Sequence, residues 1–168
     1  MDNIRVYIVN LRKYNENEPT GAWFSLPVDF EEVKEKLGLD AEHEEYAIHD
    51  YDNWPLSRTP EYASLDELNH AADLIDALDD KYIDILSELV SYYGSLEEAC
   101  ESCEDDVEFY NGCDTMADVA CEYASENGLL DGVPENLRDY FDYDKYGNDL
   151  EAEWYCIKTS DGYACIIG

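Results

Sequence analysis

The sequence predicts an α+β protein, with small mixed α/β modules at both ends of the chain and a helical middle. Near both ends, short runs of β-branched and aromatic residues alternate with helical patterns. Between them lies a long stretch whose apolar residues recur at helical spacing without glycine or proline. Hydrophobic residues make up 45% of the 168 positions, and 15 residues are tyrosines, so the chain has enough apolar surface to fold despite a net charge of -32.

The first predicted module, residues 1–60, has the element order ββαβ. Its strands are predicted at residues 4–9, 22–26 and 45–51, where apolar and aromatic side chains are concentrated. The helix is predicted to begin at Asp29, which forms a capping-box pattern with Glu32, and to end at Gly38. The module is predicted to end near the breaks at Trp54-Pro55 and Thr59-Pro60.

The second predicted module, residues 61–104, is acidic and helical. A capping box formed by Ser64 and Glu67 is predicted to open its first helix. Apolar residues then recur three or four positions apart, and the sequence leaves open whether this run is one helix or two that separate near Asp79. Gly94 is predicted to end the run, before a further short helix.

The third predicted module, residues 105–168, mixes helices and strands again. Its predicted elements are a strand at residues 107–110, helices at 114–127 and 135–141, and a closing β-hairpin formed by residues 153–158 and 163–167. Gly128 is expected to stop the first helix, and Pro134 is expected to be the first residue of the second.

Acidic residues are most dense in the middle of the chain. Residues 61–110 carry 16 acids and one base, compared with 13 and 6 in residues 1–60 and 13 and 3 in residues 111–168. With so few bases nearby, most of these carboxylates must face water or a partner. A compact surface this negative repels nucleic acids and anionic membranes and is attracted to basic clefts, so we expect neither direct nucleic-acid binding nor membrane binding.

The spacing of the acids gives them a predicted geometry. Carboxylates three or four positions apart on a helix lie roughly 5–6 Å from each other, comparable with successive phosphates along a DNA strand, which rise by about 3.4 Å each. A helix face can therefore present a row that resembles phosphates. The predicted partner-binding acidic face comprises Asp66, Asp73, Asp76, Asp80, Asp84, Glu88, Glu97, Glu98, Glu101, Asp105, Asp114, Asp118 and Glu122.

The stretch from Asp142 to Glu153 copies much of an EF-hand calcium loop. It departs from the motif because Tyr146 occupies a ligand position and Asp149 replaces the usual apolar residue. The residues after Glu153 are predicted to form a strand, where the motif requires a helix. These departures argue against a calcium site.

The six cysteines are expected to be reduced thiols, since nothing in the sequence indicates an oxidising compartment. Cys100 and Cys103 have the spacing of a zinc-binding pair, but they lie in a predicted amphipathic helix. Small buried thiols are therefore favoured over a zinc site completed by Cys113 and Cys121.

The chain shows no pattern typical of an active site, so we predict neither enzymatic activity nor a cofactor. The histidines His43, His49 and His70 are scattered, and none accompanies a nucleophile motif. Carboxylates are too abundant to select a glycosidase pair. No secretory signal or membrane-spanning apolar stretch is recognisable, which favours a cytoplasmic location.

Two blocks of residues carry a further signal. The first comprises residues 4–10, 13–15, 21–24, 26–32 and 45–51. The second begins with Gly128-Leu129-Leu130-Asp131-Gly132-Val133-Pro134 and continues with Leu137, Tyr140, Asp142, Tyr143, Tyr146, Gly147, Asp149 and Leu150. In order and at matching length across nearly the whole chain, these blocks closely resemble the ArdA antirestriction proteins.

The resemblance implies an elongated, three-module DNA mimic that works as a homodimer and inhibits Type I restriction-modification enzymes by occupying their DNA-binding cleft. Proteins of this family are carried on plasmids and conjugative transposons, where they protect incoming unmodified DNA. The family's dimer contact implies roles here for Leu137, Tyr140, Phe141 and Tyr143. Two alternatives stay open: an acidic calcium-binding or salt-adapted protein, and a hydrolase with an unrecognised carboxylate pair.

Overall fold

The computed structural model describes residues 3–15, 20–39, 45–60 and 63–167. Its helices and two three-stranded antiparallel sheets make it an α+β structure, which confirms the predicted class. The chain divides into two compact units, Met1–Cys100 and Glu101–Gly168. The finer division into three modules stays a prediction.

The first unit contains a sheet with the strand order β2-β1-β3. Its elements in chain order are β1 (Arg5–Asn10), α1 (Leu11–Asn15), β2 (Gly21–Ser25), α2 (Phe30–Leu37) and β3 (Tyr46–Asp52). The predicted ββαβ order is confirmed, whereas the short helix α1 was not predicted. Val6 and Ile8 of the central strand are fully buried and join Val33 and Leu37 of α2 in one apolar core.

Helix α2 begins and ends where the sequence predicts. The Asp29 carboxylate accepts a hydrogen bond from the Glu31 amide at 2.9 Å, one residue before the Glu32 amide that a capping box uses. At the other end Gly38 has a φ of 62°, and its amide donates to the carbonyl of Lys34. Glycine suits this left-handed position because it has no Cβ to clash with the backbone.

The helical run after Ser64 forms three helices, where the sequence left one or two open. They are α3 (Leu65–Asp76), α4 (Asp80–Ile83) and α5 (Leu86–Tyr93). The first break lies near Asp79, as the two-helix alternative predicts, since that residue has extended backbone angles of -63° and 142°. A second break follows at Ile85, whose angles are -118° and 10°. The acids of this run therefore do not lie along a single helix.

Gly94 ends α5 in the left-handed region, as predicted. A further helix, α6 (Leu96–Asp106), follows it. Its first turn is capped by Ser95, whose hydroxyl accepts a hydrogen bond from the Glu98 amide at 3.1 Å.

The second unit contains a sheet with the strand order β4-β6-β5. Its elements are β4 (Val107–Asn111), α7 (Met116–Glu126), α8 (Glu135–Arg138), α9 (Tyr143–Glu153), β5 (Tyr155–Thr159) and β6 (Gly162–Ile166). The predicted strand, first helix and closing hairpin are confirmed. Pro134 is the cap of α8 and not its first residue, and α8 ends at Arg138, three residues earlier than predicted.

Helix α9 is not among the predicted elements, which assign no helix or strand to residues 142–152. Asp142 caps the helix by accepting a hydrogen bond from the Lys145 amide at 3.0 Å. Gly147 lies in its middle and is buried. A Cβ built there would come within 2.5 Å of the Met116 carbonyl oxygen, so this glycine lets α9 pack directly against the start of α7.

The expectation of six reduced thiols was wrong for one pair, because Cys156 and Cys165 form a disulfide. The two residues are directly opposite each other on β5 and β6, with their Cα atoms 4.1 Å apart. An antiparallel hairpin brings facing side chains this close. The other four cysteines are not in a disulfide: Cys103 and Cys113 are buried, Cys100 is half-buried and Cys121 is exposed.

Candidate interaction surface

Helix α3 separates apolar and acidic residues onto two sides. Its buried residues are Leu65, Leu68, Ala72 and Ile75, all of which belong to the core of the first unit. Asp66, Asp73 and Asp76 are exposed. The 3.6-residue period of the helix accounts for Asp66 and Asp73, because positions three or four apart share a face. Asp76 lies four positions after Ala72 and is exposed at the last residue of the helix.

The beginning of α3 is fixed by the capping box that the sequence predicts. The Ser64 hydroxyl accepts a hydrogen bond from the Glu67 amide at 3.2 Å, and the Glu67 carboxylate accepts one from the Ser64 amide at 2.8 Å. The bond from the Ser64 amide, together with one that the Ser64 hydroxyl donates to the same carboxylate at 2.8 Å, lowers the pKa of Glu67 below its ordinary value, because both bonds favour the charged carboxylate.

Asn69 connects α3 to the segment between β2 and α2 through two hydrogen bonds, which the sequence pattern does not predict. Its side-chain oxygen accepts a hydrogen bond from the Val28 amide at 2.9 Å, and its side-chain nitrogen donates to the Val28 carbonyl at 2.8 Å. The only sequence signal is an uncharged polar residue beside the apolar face of the helix. Both bonds fix the position of the acidic side of α3 relative to the sheet of the same unit.

The acids that follow α3 are exposed but lie on separate helices. Asp80 begins α4, Asp84 caps its end, and Glu88 lies in the first turn of α5. Within the described parts of the chain, Asp73, Asp76, Asp84 and Glu88 form no ion pair. Their charges are therefore available to solvent or to a partner.

Helix α6 presents further acids. Glu97, Glu98, Glu101 and Asp105 are all exposed. The first two lie in the first turn, where the partial positive charge of the helix N-terminus favours carboxylates.

The three predicted acids near α7 differ in their surroundings. Asp114 is exposed. Asp118 forms a capping box with Thr115, whose hydrogen bonds lower the pKa of the aspartate below its ordinary value. Glu122 is half-buried and accepts a hydrogen bond from the Cys113 thiol at 3.2 Å. Asp118 and Glu122 thus also stabilise their own unit, and burial together with Glu122 raises the pKa of Cys113 to about 11.

The four residues that the resemblance assigns to a dimer contact fall into two groups. Leu137 and Tyr140 are highly exposed, at 51% and 83%. Phe141 and Tyr143 are half-buried and pack edge to face, with ring centroids 4.9 Å apart. The apolar side chain of Leu137 and the aromatic ring of Tyr140 are thus exposed to solvent.

No group of histidine, cysteine or acidic side chains in the described ranges is arranged to hold a metal ion. His49 and His70 are exposed, and His43 lies outside the described residues. The stretch that resembles an EF-hand is helical and does not form the loop that such a site needs. Among the helices that can be described, none is both long and apolar enough to cross a membrane.

Comparison with models of protein families gives a match over most of the chain. Residues 6–165 match the family model described as "Antirestriction protein (ArdA)". A search of curated proteins found no match.

Proposed function

The chain belongs to the ArdA antirestriction family, and from this membership we propose that it inhibits Type I restriction-modification enzymes by imitating DNA in their DNA-binding cleft. Family membership by itself makes the chain an antirestriction protein and makes restriction enzymes its targets. The choice of Type I enzymes, the cleft and the mimicry are the proposal. It acts in the cytoplasm, where it protects incoming mobile DNA without any catalytic step.

The observation that carries the proposal is the exposure of acids on helices whose other side is buried. Asp73 and Asp76 project from α3, while Ala72 and Ile75 hold that helix in the core. A carboxylate on a packed helix has little freedom to move away when a cation approaches. The arrangement therefore loses less conformational entropy on binding than a disordered acidic tail of equal charge.

A restriction enzyme holds DNA mainly through lysine and arginine contacts to phosphates, and these contacts do not depend on base sequence. Carboxylates at comparable spacing engage the same cations. The breaks after Asp76 and at Ile85 distribute the acids over three short helices. The mimicry accordingly relies on many weak contacts, each contributing roughly 0–1 kcal/mol.

We also propose that the protein works as a homodimer through the exposed residues Leu137 and Tyr140. Two chains would carry twice -32, or -64, and screening at physiological salt acts over about 8 Å. Apolar contacts must then hold the chains together, because bases are scarce. Leu137 and Tyr140 are among the most exposed large hydrophobic side chains that the structure describes.

The test is equilibrium competition between the protein and a fluorescent DNA duplex for a purified Type I enzyme. We expect displacement at micromolar protein or below, and weaker displacement as salt rises, because ion contacts are screened. Gel shift with the duplex alone should show no binding. No displacement at micromolar protein would reject the mimicry.

A further inference from the structure

The second unit contains an open cleft that none of the predicted roles uses. Its volume is about 370 Å³, near the lower end of the range of roughly 300–1,000 Å³ for small-molecule sites. The lining residues are Tyr123, Tyr146, Asp149, Leu150, Ala152, Glu153 and Trp154. Three aromatic rings and two carboxylates thus line one cleft, and none of its lining residues is basic.

Two of the aromatic rings in the cleft pack edge to face. The rings of Tyr123 and Trp154 are nearly perpendicular, at 82°, with centroids 4.8 Å apart. Trp154 is also stacked with the buried Tyr110, with an interplanar angle of 14° and centroids 6.5 Å apart. Neighbouring rings of the same unit therefore fix the orientation of the Trp154 indole in the cleft.

The carboxylates lie where helix α9 ends. Asp149 and Glu153 are four positions apart on α9, which places them on one face of the helix, and both are exposed. Burial raises the pKa of Tyr146, and the nearby Tyr123 and Glu153 add to the shift. The phenol of Tyr146 thus stays neutral, so the cleft carries only the negative charge of the two acids.

We propose that this cleft binds the guanidinium group of an arginine side chain presented by a partner protein. An aromatic face attracts a cation, and a carboxylate beside it adds a charged hydrogen-bond acceptor. Guanidinium suits the site better than an ammonium because it is planar, stacks on aromatic rings and donates in a fork to carboxylates.

The choice of a protein partner rests on the proposed function, since a cleft that holds DNA presents arginine side chains. The cleft would then supply a specific contact among the diffuse acidic ones. Such a contact fixes the orientation of a bound protein, which dispersed charges do not.

The experiment is a titration of the full chain with the peptide N-acetyl-Gly-Arg-Gly-amide, followed by the indole N–H signal of Trp154 in NMR. Substitutions Trp23→Phe and Trp54→Phe identify the other two indole signals. We expect a saturable shift of the Trp154 signal, weaker saturation with the matching lysine peptide, and none with the neutral citrulline peptide. Absence of saturation, or equal effects of arginine and citrulline, would overturn the site. Equal binding of lysine would overturn the choice of guanidinium.

The variant Asp149→Asn/Glu153→Gln should weaken arginine-peptide binding by about fivefold or more, since two charge contacts are lost. The matched control is Asp144→Asn/Glu151→Gln, which removes two exposed charges from the same helix away from the cleft. Equal weakening in both variants would reject the assignment. Peptide binding without inhibition of a Type I enzyme would reject only the proposed function, whereas inhibition without peptide binding would reject only this site.

Discussion

The side-chain amide of Asn69 and the backbone of Val28 exchange two hydrogen bonds, one of 2.9 Å to the amide oxygen and one of 2.8 Å from the amide nitrogen. Val28 is buried at 6% exposure. The pair joins α3 to residues 41 positions earlier in the chain. A neutral amide at this position therefore determines where the neighbouring acids of α3 are presented.

Substitution Asn69→Ala should destabilise the first unit by about 1–3 kcal/mol, because it leaves the amide and carbonyl of Val28 without their partners. Urea denaturation followed by circular dichroism measures the effect. His70→Ala on the same helix removes an exposed side chain and serves as the control. Equal stability of the two variants would show that the bonds to Val28 contribute little.

Substitution Gly147→Ala should destabilise the second unit by about 1–3 kcal/mol, as expected for overpacking. The new Cβ would lie 2.5 Å from the Met116 carbonyl oxygen and 2.6 Å from its carbon, so helix backbone would have to move. Gly132→Ala is the matched control, because a Cβ there would have no heavy atom within 4 Å apart from its own chain neighbours. Thermal denaturation of both variants should separate them, and an unchanged midpoint for Gly147→Ala would contradict the close packing of α7 and α9.

The capping box at Ser64 should make stability depend on pH. The pKa of Glu67 is lower in the folded chain than its ordinary value of 4.5. Its stabilising contribution is therefore fully present above that value and is lost as the pH falls through the lowered one. The stability difference between the native chain and Glu67→Ala should shrink from pH 7 to about pH 3, measured by urea denaturation.

Glu67→Gln is the control for this prediction, since glutamine keeps the capping geometry but does not titrate. Its stability advantage over Glu67→Ala should change little over the same pH range. A constant difference between the native chain and Glu67→Ala would show that the carboxylate does not act through its charge.

The disulfide predicts a specific thiol count. Alkylation of the unfolded protein without reductant should modify four cysteines, and alkylation after reduction should modify six. Mass spectrometry of the peptides should show Cys156 and Cys165 as the protected pair. Modification of all six without reductant would mean that the thiols are reduced, as the sequence alone suggested.

Local signals predicted most helix ends correctly. Asp29, Ser64 and Gly94 each act on neighbouring backbone groups, so their effect can be recognised in a short stretch of sequence. The break at Ile85 carries no such signal, because no glycine or proline marks it. The residues on either side of this break, Ile85 and Leu86, are both buried in the structure.

Helix α9 illustrates why a local interpretation can fail. Gly147 and Asp149 are poor helix formers, and the pattern of acids imitates a calcium loop. Their helix is stabilised by contact with α7, which lies about 30 positions earlier and cannot be inferred from local sequence. The disulfide was recognisable in principle, since Cys156 and Cys165 are equally far from the turn of a hairpin that was predicted.

The candidate surface was predicted in part. Amphipathic spacing predicts that Asp66 and Asp73 lie on the exposed side of α3, where the structure has them. Asp76 is exposed as well, although it lies four positions after the buried Ala72. The arginine-binding cleft was not foreseen, because Tyr123 and Trp154 come from separate parts of the chain and meet only after folding. Periodicity predicts which residues face water, but not which distant residues meet.

The most direct measurement of DNA mimicry compares two quadruple variants in the competition assay. The first variant removes four acids of the predicted acidic face and is Asp76→Asn/Asp80→Asn/Asp84→Asn/Glu88→Gln. The control variant removes four exposed acids elsewhere in the first unit and is Glu32→Gln/Glu35→Gln/Glu45→Gln/Asp50→Asn. Both change the net charge equally. Each single substitution in the first set should be nearly silent, because a surface charge pair contributes roughly 0–1 kcal/mol.

The protein concentration needed to displace half of the DNA should rise by about tenfold or more in the first variant, as expected when several such contacts are lost together. In the control it should change by less than about threefold, the effect of one weak contact. Equal displacement by the two variants would show that total charge matters and the arrangement of the acids does not, which would contradict the account.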